Sequence, residues 1–379
     1  MTMAALPALS GAPAATRRRR RGVEFLAVGG ATLLVWPLLW GLRSSLGLDE
    51  AELVVGFLMF HAALLINDPH FAVTYLLFYK DAKRRALGDA FGPAQRLRYV
   101  VAGFVVPLVL AVWAIGAVTS GSARALGGLM ELMFLLVGWH YVKQGFGVLT
   151  VLSARDGVTF DQRERRVVLA HCYAGWAYAW ATPARGAQLV EEKGVVYTAL
   201  PHPAALGAVT GAVFAASALG LAWVLLRKWR RDGRLPPAAP LCGFLVSIWI
   251  WTLYTHVDPL LMYVIPALHS LQYLYFVALL RRNEAKETEG PPHFGRPVAV
   301  RLGLLAVASV ALGWMVFHGL PGLLDEARRG ASAEVLGVTP WAAALFAFVN
   351  LHHYFMDHVI WRRDNPETRY LLARTPEAP

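Results

Sequence analysis

The sequence predicts an all-α, polytopic transmembrane helix bundle of about ten spans with both termini cytoplasmic. Hydrophobic residues fill 56% of the 379 positions and charged residues only 16%, while mean hydropathy is +0.45; soluble globular domains do not reach this balance. The apolar residues gather into stretches long enough to cross a hydrocarbon core of about 30 Å. Between those stretches the Arg and Lys residues form short clusters that fall on alternate sides, as cytoplasmic loops require.

Taken in order, residues 1–22 are Ala/Pro-rich, lack a signal-peptide core and end in the basic run 17–21, so they read as a disordered cytoplasmic tail. A single transmembrane domain is expected over 23–363, with spans at 23–42, 52–79, 99–119, 125–151, 167–183, 204–226, 240–256, 259–280, 298–318 and 340–361. The segment 283–297 is polar and carries Pro and Gly, which predicts a cytoplasmic loop, and 364–379 a cytoplasmic tail. Basic clusters at 17–21, 80–98, 155–166, 227–234, 281–301 and 362–369 share one side. Opposite them lie connectors that carry few basic residues or balance them with acids, around Asp49, Glu191, Asp258 and Asp325. The positive-inside rule then places both termini in the cytoplasm.

This patterning accounts for the net charge of +11 through topology signals and contacts with lipid headgroups, so no nucleic-acid partner is expected. The two cysteines, Cys172 and Cys242, form no CxxC pair and exclude a disulfide framework. No P-loop or GxGxxG fingerprint is present. Chemistry must therefore take place inside the bundle or at its rims. An Ala/Arg/Gly-rich chain without a cleavable targeting segment suits a multi-pass protein of the bacterial inner membrane.

Candidate functional residues emerge from a register shared by opposite ends of the chain. Asn67-x-x-His70-Phe71 leads to Lys80-Asp81, and Asn350-x-x-His353-Tyr354 leads to Arg363-Asp364. Spans two, four, eight and ten run in the same direction, and each carries a mid-span histidine: His70, His140, His269 and His353. The next basic boundaries, Lys80, Arg155, Arg281 and Arg363, lie ten, fifteen, twelve and ten residues on, or roughly 15 to 22 Å at helical rise. Four imidazoles in one layer are predicted. Four residues beyond each stands a polar group, Thr74, Gln144, Tyr273 and Asp357, a stripe that lipid would leave unsatisfied.

Other candidates crowd the same spans. His61 and Asp68 share a helix face, Pro69 predicts a kink, and His352 and His358 flank His353. One membrane histidine taken alone is most simply a packing hydrogen bond. Four at one depth favour a shared metal or proton site, because burying several polar rings separately costs energy without return. The expected metal ligands are His70, His140, His269 and His353, with His61, His352 and His358 as further donors. Asp357, Asp68, Gln144 and Tyr273 are candidates for catalysis, for a second metal position or for orienting the ligands. His202, His293 and His318, in or beside loops, are left out, and His171 and His256 lie nearer helix ends.

The spacing His353-Tyr-Phe-Met-Asp-His358 resembles the first histidine box of membrane fatty acid desaturases and hydroxylases. That resemblance implies iron, one or two ions, activating oxygen against an acyl or sterol chain. It covers this short segment, and no HxxHH box follows elsewhere. Isolated histidines on separate spans are similar in plan to the bacterial membrane carotenoid-cleaving dioxygenases, which hold one iron that way.

The resulting expectation is a metal-dependent membrane oxidoreductase acting on a lipid or isoprenoid substrate, supplied by an external electron donor because no flavin or haem-attachment motif is visible. Iron is the expected metal, with zinc or copper compatible with the same donors and bis-histidine haem a further option. Two rivals use the same residues: a proton- or metal-coupled transporter with a His/Asp relay, and an acyl or prenyl transferase with a histidine general base.

Overall fold

The computed structural model describes residues 14–181, 189–328 and 336–372; the remainder of both expected tails, 1–13 and 373–379, lies outside them. Among these residues the protein is a helix bundle with one small hairpin. In order the helices are α1 (Ala14–Phe25), α2 (Ala31–Leu46), α3 (Leu48–Ala63), α4 (Asn67–Phe78), α5 (Ala82–Ala86), α6 (Pro93–Val100), α7 (Val106–Thr119), α8 (Ala123–Arg155), α9 (Gln162–Ala181), α10 (Ala204–Asp232), α11 (Ala238–Leu245), α12 (Tyr254–Val257), α13 (Leu261–Glu289), α14 (Val298–Trp314), α15 (Leu320–Arg328), α16 (Pro340–Ile360) and α17 (Arg369–Leu372). Single π-turns at Leu26–Gly30, Val101–Val105, Val246–Trp251 and Met315–Gly319 join several of these into longer rods.

Among the described residues six stretches are long and apolar enough to cross a membrane: Arg18–Leu46, Pro93–Thr119, Ala123–Arg155, Ala204–Asp232, Leu261–Glu289 and Val298–Arg328. The other expected spans are also helical, but shorter, interrupted or more polar. The stretch 52–79 is broken at 64–66 into α3 and α4, because Pro69 has no N–H to extend a helix backwards and is tolerated only in the first turn of a new one. Helix α16 is long enough, yet Asn350, His352, His353, Asp357 and His358 lower its hydropathy.

Local boundaries differ from expectation where helix-forming side chains extend the rods. Residues 14–22, expected as disordered tail, begin α1. Residues 283–289, expected as loop, continue α13 to Glu289. The start of α9 is set by a capping box: Asp161 Oδ1 accepts from the Glu164 N–H at 2.8 Å, and Glu164 Oε2 accepts from the Asp161 N–H at 2.9 Å. That N–H bond, with the neighbouring Arg227, holds the Asp161 carboxyl below its usual range.

The connector between α9 and α10 carries β1 (Leu189–Glu192) paired antiparallel to β2 (Val195–Thr198). Lys193 and Gly194 turn it with φ of 51° and 75°, the left-handed pair a two-residue hairpin needs. Val195 and Tyr197 face inward, and the Tyr197 ring lies where a Cβ on Gly127 of α8 would be, 2.7 Å away.

Burial separates central from peripheral helices. In its most apolar window α13 is 61% buried, against 11% for Val298–Arg328, whose Val300, Leu304, Val307 and Trp314 are exposed, as a lipid-facing helix requires. At the centre α16 packs on α8 through Ala343, Ala344 and Ala347 against Leu126, Leu129 and Met130; small residues let backbones approach closely. It also joins α4 and α13 in a core of Val73, Leu77, Phe78, Val277, Met356 and Val359. Later residues of each helix meet later residues of the others, so these segments run parallel.

Candidate metal centre

That parallel packing sets the four mid-span histidines against one another. His70 of α4, His140 of α8, His269 of α13 and His353 of α16 are at most 4% exposed. Ring centroids of His70 and His353 are 4.4 Å apart, and His140 lies 4.9 Å from both His269 and His353. One donor nitrogen from each of His70, His140 and His353 falls within 4.8 Å of the others, a group able to hold a metal ion. His269 completes the cluster with its Nε2 3.0 Å from His140 Nε2.

The polar stripe one turn on converges as well. Asp357 Oδ2 lies 3.3 Å from His353 Nε2 and 3.8 Å from His140 Nε2. Its other oxygen, Oδ1, accepts a hydrogen bond from the Tyr273 hydroxyl at 2.7 Å, and that hydroxyl is 2.6 Å from Thr74 Oγ1. Gln144 donates to the His269 carbonyl at 3.2 Å and to Gln272 Oε1 at 2.7 Å. Gln272 in turn donates to the Val28 carbonyl, in the π-turn whose Gly29 packs against Gly243 of α11.

The ring nitrogens are incompletely satisfied. His70 Nε2, His269 Nδ1 and both nitrogens of His353 are buried without a hydrogen-bond partner. Leaving such groups unpaired costs about 1–3 kcal/mol each, so a cluster of them is unfavourable unless their lone pairs are used. A cation uses them. Neutral imidazoles with one carboxylate and no thiolate form a donor set that iron, zinc and copper all accept. Cys172 and Cys242 contribute nothing here: each sits among apolar side chains of other helices.

Four further sequence candidates lie away from the cluster, for identifiable reasons. His61 is exposed on α3, with Nδ1 on the Phe57 carbonyl at 2.9 Å, and the break at 64–66 separates its helix from α4. His352 has both nitrogens engaged, Nδ1 with Tyr75 Oη and Nε2 with the Ala102 carbonyl, each at 3.0 Å; one residue along a helix is a turn of about 100°. His358 meets the Arg362 guanidinium at 3.3 Å and the Trp139 ring at 5.5 Å. Asp68 faces α14 and not His70 or His61. Its Oδ2 is 2.9 Å from His318 Nε2.

His318, set aside in the sequence because it stands near a connector, thus belongs to the surroundings of the site. So does Ser270, whose Oγ is 3.1 Å from His70 Nδ1 and 3.0 Å from Asn67 Oδ1. The signal for Ser270 was present as a hydroxyl beside His269 in a mostly apolar run; no sequence signal linked His318 to Asp68 across 250 positions. Asn350, the counterpart of Asn67 in the repeated register, serves its own helix, donating to the Phe346 carbonyl and accepting from Tyr354. The chain matches no family model, no curated protein and no solved structure.

Proposed function

We propose that this protein is an integral-membrane, metal-dependent oxidoreductase that acts on a lipid or isoprenoid from within the bilayer. The observation that supports it is the convergence of four buried imidazoles, three of them with unpaired nitrogens, around one carboxylate inside an apolar bundle. His70, His140 and His353 are the core ligands, His269 a fourth, and Asp357 the oxygen donor or the base beside them. A redox-active ion held by such donors, iron first, supplies oxygen activation. The remaining work falls to the chain: the apolar helices exclude water, and Tyr273 with Thr74 holds the carboxylate at its station. Electrons come from an external donor. In this reading the ten helical stretches cross the membrane, the basic clusters and both termini are cytoplasmic, and substrate enters sideways from lipid.

The test is product formation by membranes containing the protein, supplied with a reductant and a mixed lipid and isoprenoid extract and read by mass spectrometry. The expected product depends on oxygen, disappears with a chelator and disappears in His140→Ala. Product that survives chelation and anaerobic conditions points instead to a transferase and refutes the proposal. A second reading draws on the break between α3 and α4 beside the Asp68–His318 pair, since interrupted helices next to ionisable pairs suit ion-coupled transport. Metal or proton uptake by reconstituted vesicles, without any oxidised product, favours that reading.

A further inference from the structure

A connected line of side chains leads from the flank of α14 to the buried ring of His70. His318, with its side chain 31% exposed, places Nε2 2.9 Å from Asp68 Oδ2. Asn67 also hydrogen-bonds the Asp68 side chain. Ser270 donates its hydroxyl to Asn67 Oδ1 at 3.0 Å, and the same Oγ lies 3.1 Å from His70 Nδ1. Backbone contact clamps the outer end: a Cβ on Gly313 of α14 would sit 2.8 Å from the Asp68 carbonyl carbon and oxygen.

Valence fixes the direction of this line. With the Asn67 amide N–H turned to Asp68, its carbonyl oxygen is the group that faces Ser270. A serine hydroxyl carries one proton; once that proton is directed at Asn67, only lone pairs remain for His70. Nδ1 of His70 must then be the protonated nitrogen, and in a neutral imidazole Nε2 is left bare. Nε2 is also the His70 nitrogen that has no hydrogen-bond partner.

We propose that Ser270, Asn67 and Asp68, anchored by His318, are positioning residues that hold His70 in its Nδ1–H form and so present Nε2 to the metal. The consequence for metal affinity rests on the metal-centre reading above, whereas the tautomer does not. Partners of this kind that orient a ligand histidine change metal affinity by about 10- to 100-fold when removed.

Two measurements on histidine-15N-labelled protein in lipid nanodiscs test it. Nitrogen NMR, with the His70 signal assigned by its loss in His70→Gln, is expected to show Nδ1–H in the parent and in Ser270→Thr, and Nε2–H in Ser270→Ala. Zinc affinity by chelator competition is expected to fall about 10- to 100-fold in Ser270→Ala, with Ser270→Thr restoring it and Asp68→Asn adding nothing further in the Ser270→Ala background. A parent with Nε2–H, or a Ser270→Ala variant with unchanged tautomer and affinity, overturns the proposal. Multiplying losses in the double variant overturn the line as a unit. A parent that shows Nδ1–H yet takes up no zinc upholds the tautomer and refutes the metal centre.

Discussion

Tyr273→Phe keeps a buried ring in place and deletes one oxygen, which makes it a clean probe of how the site is braced. The hydroxyl donates to Asp357 Oδ1 at 2.7 Å and sits 2.6 Å from Thr74 Oγ1. The ring itself packs against His70 at 4.7 Å and Trp361 at 5.4 Å, contacts that phenylalanine retains. Without the Tyr273 oxygen, the single Thr74 hydroxyl proton can turn to the His70 carbonyl at 3.1 Å, so the loss falls on Asp357. Leaving the buried Asp357 Oδ1 without its donor costs about 1–3 kcal/mol, against about 1 kcal/mol for an ordinary intramolecular hydrogen bond. Unfolding of the detergent-solubilised protein should show that larger cost for Tyr273→Phe and a smaller one for Thr74→Ala. A Tyr273→Phe cost below about 0.5 kcal/mol, or the reverse order, refutes the idea that Tyr273 restrains Asp357.

Further predictions concern packing, ligand membership and acid sensitivity. Gly313→Ala places a methyl 2.8 Å from Asp68 backbone, where ordinary contact begins at 3.4 Å. Because backbone cannot yield, α14 must move and the variant should lose about 1–3 kcal/mol of stability; an unchanged melting temperature contradicts the close α4–α14 contact. His61→Ala should leave metal content at the parent level, since that ring is exposed on α3, and metal analysis showing a loss would return it to the site. The Asp161 carboxyl is held low by the Glu164 N–H, so its support of α9 is complete above the ordinary carboxylate range and fades as pH falls through its depressed folded value. An acid titration of melting temperature should therefore show a step in the parent that Asp161→Asn lacks.

The sequence made the bundle legible because hydropathy reports what lipid demands of each segment: every expected span is mostly helical over its described residues, and six helical stretches are long and apolar enough to cross a membrane. The four mid-span histidines were legible for a related reason. Residues at one depth on parallel helices must lie in one layer, so counting to the basic boundary of α4, α8, α13 and α16 located His70, His140, His269 and His353 together. Azimuth was much harder to read. His352 and His353 are neighbours in sequence, yet rotation about α16 sends one to Ala102 and the other into the cluster. The break before Pro69 separated His61 from the helix that carries His70, and depth alone could not foresee it. Asp68 invited a partner from its own span, but the partner came from another: His318, at the π-turn Met315–Gly319. The hairpin at Leu189–Thr198 went unread because its strands are short and polar residues dominate its turn.

The central claim is that these imidazoles jointly hold an ion, and X-ray absorption on the purified, metal-reconstituted protein addresses it most directly. The account predicts a stoichiometric transition metal in a shell of nitrogen and oxygen with imidazole scattering, lost when His140 and His353 are both replaced by alanine. A parent that binds no metal, a sulfur-containing shell, or undiminished metal in the double variant would contradict it.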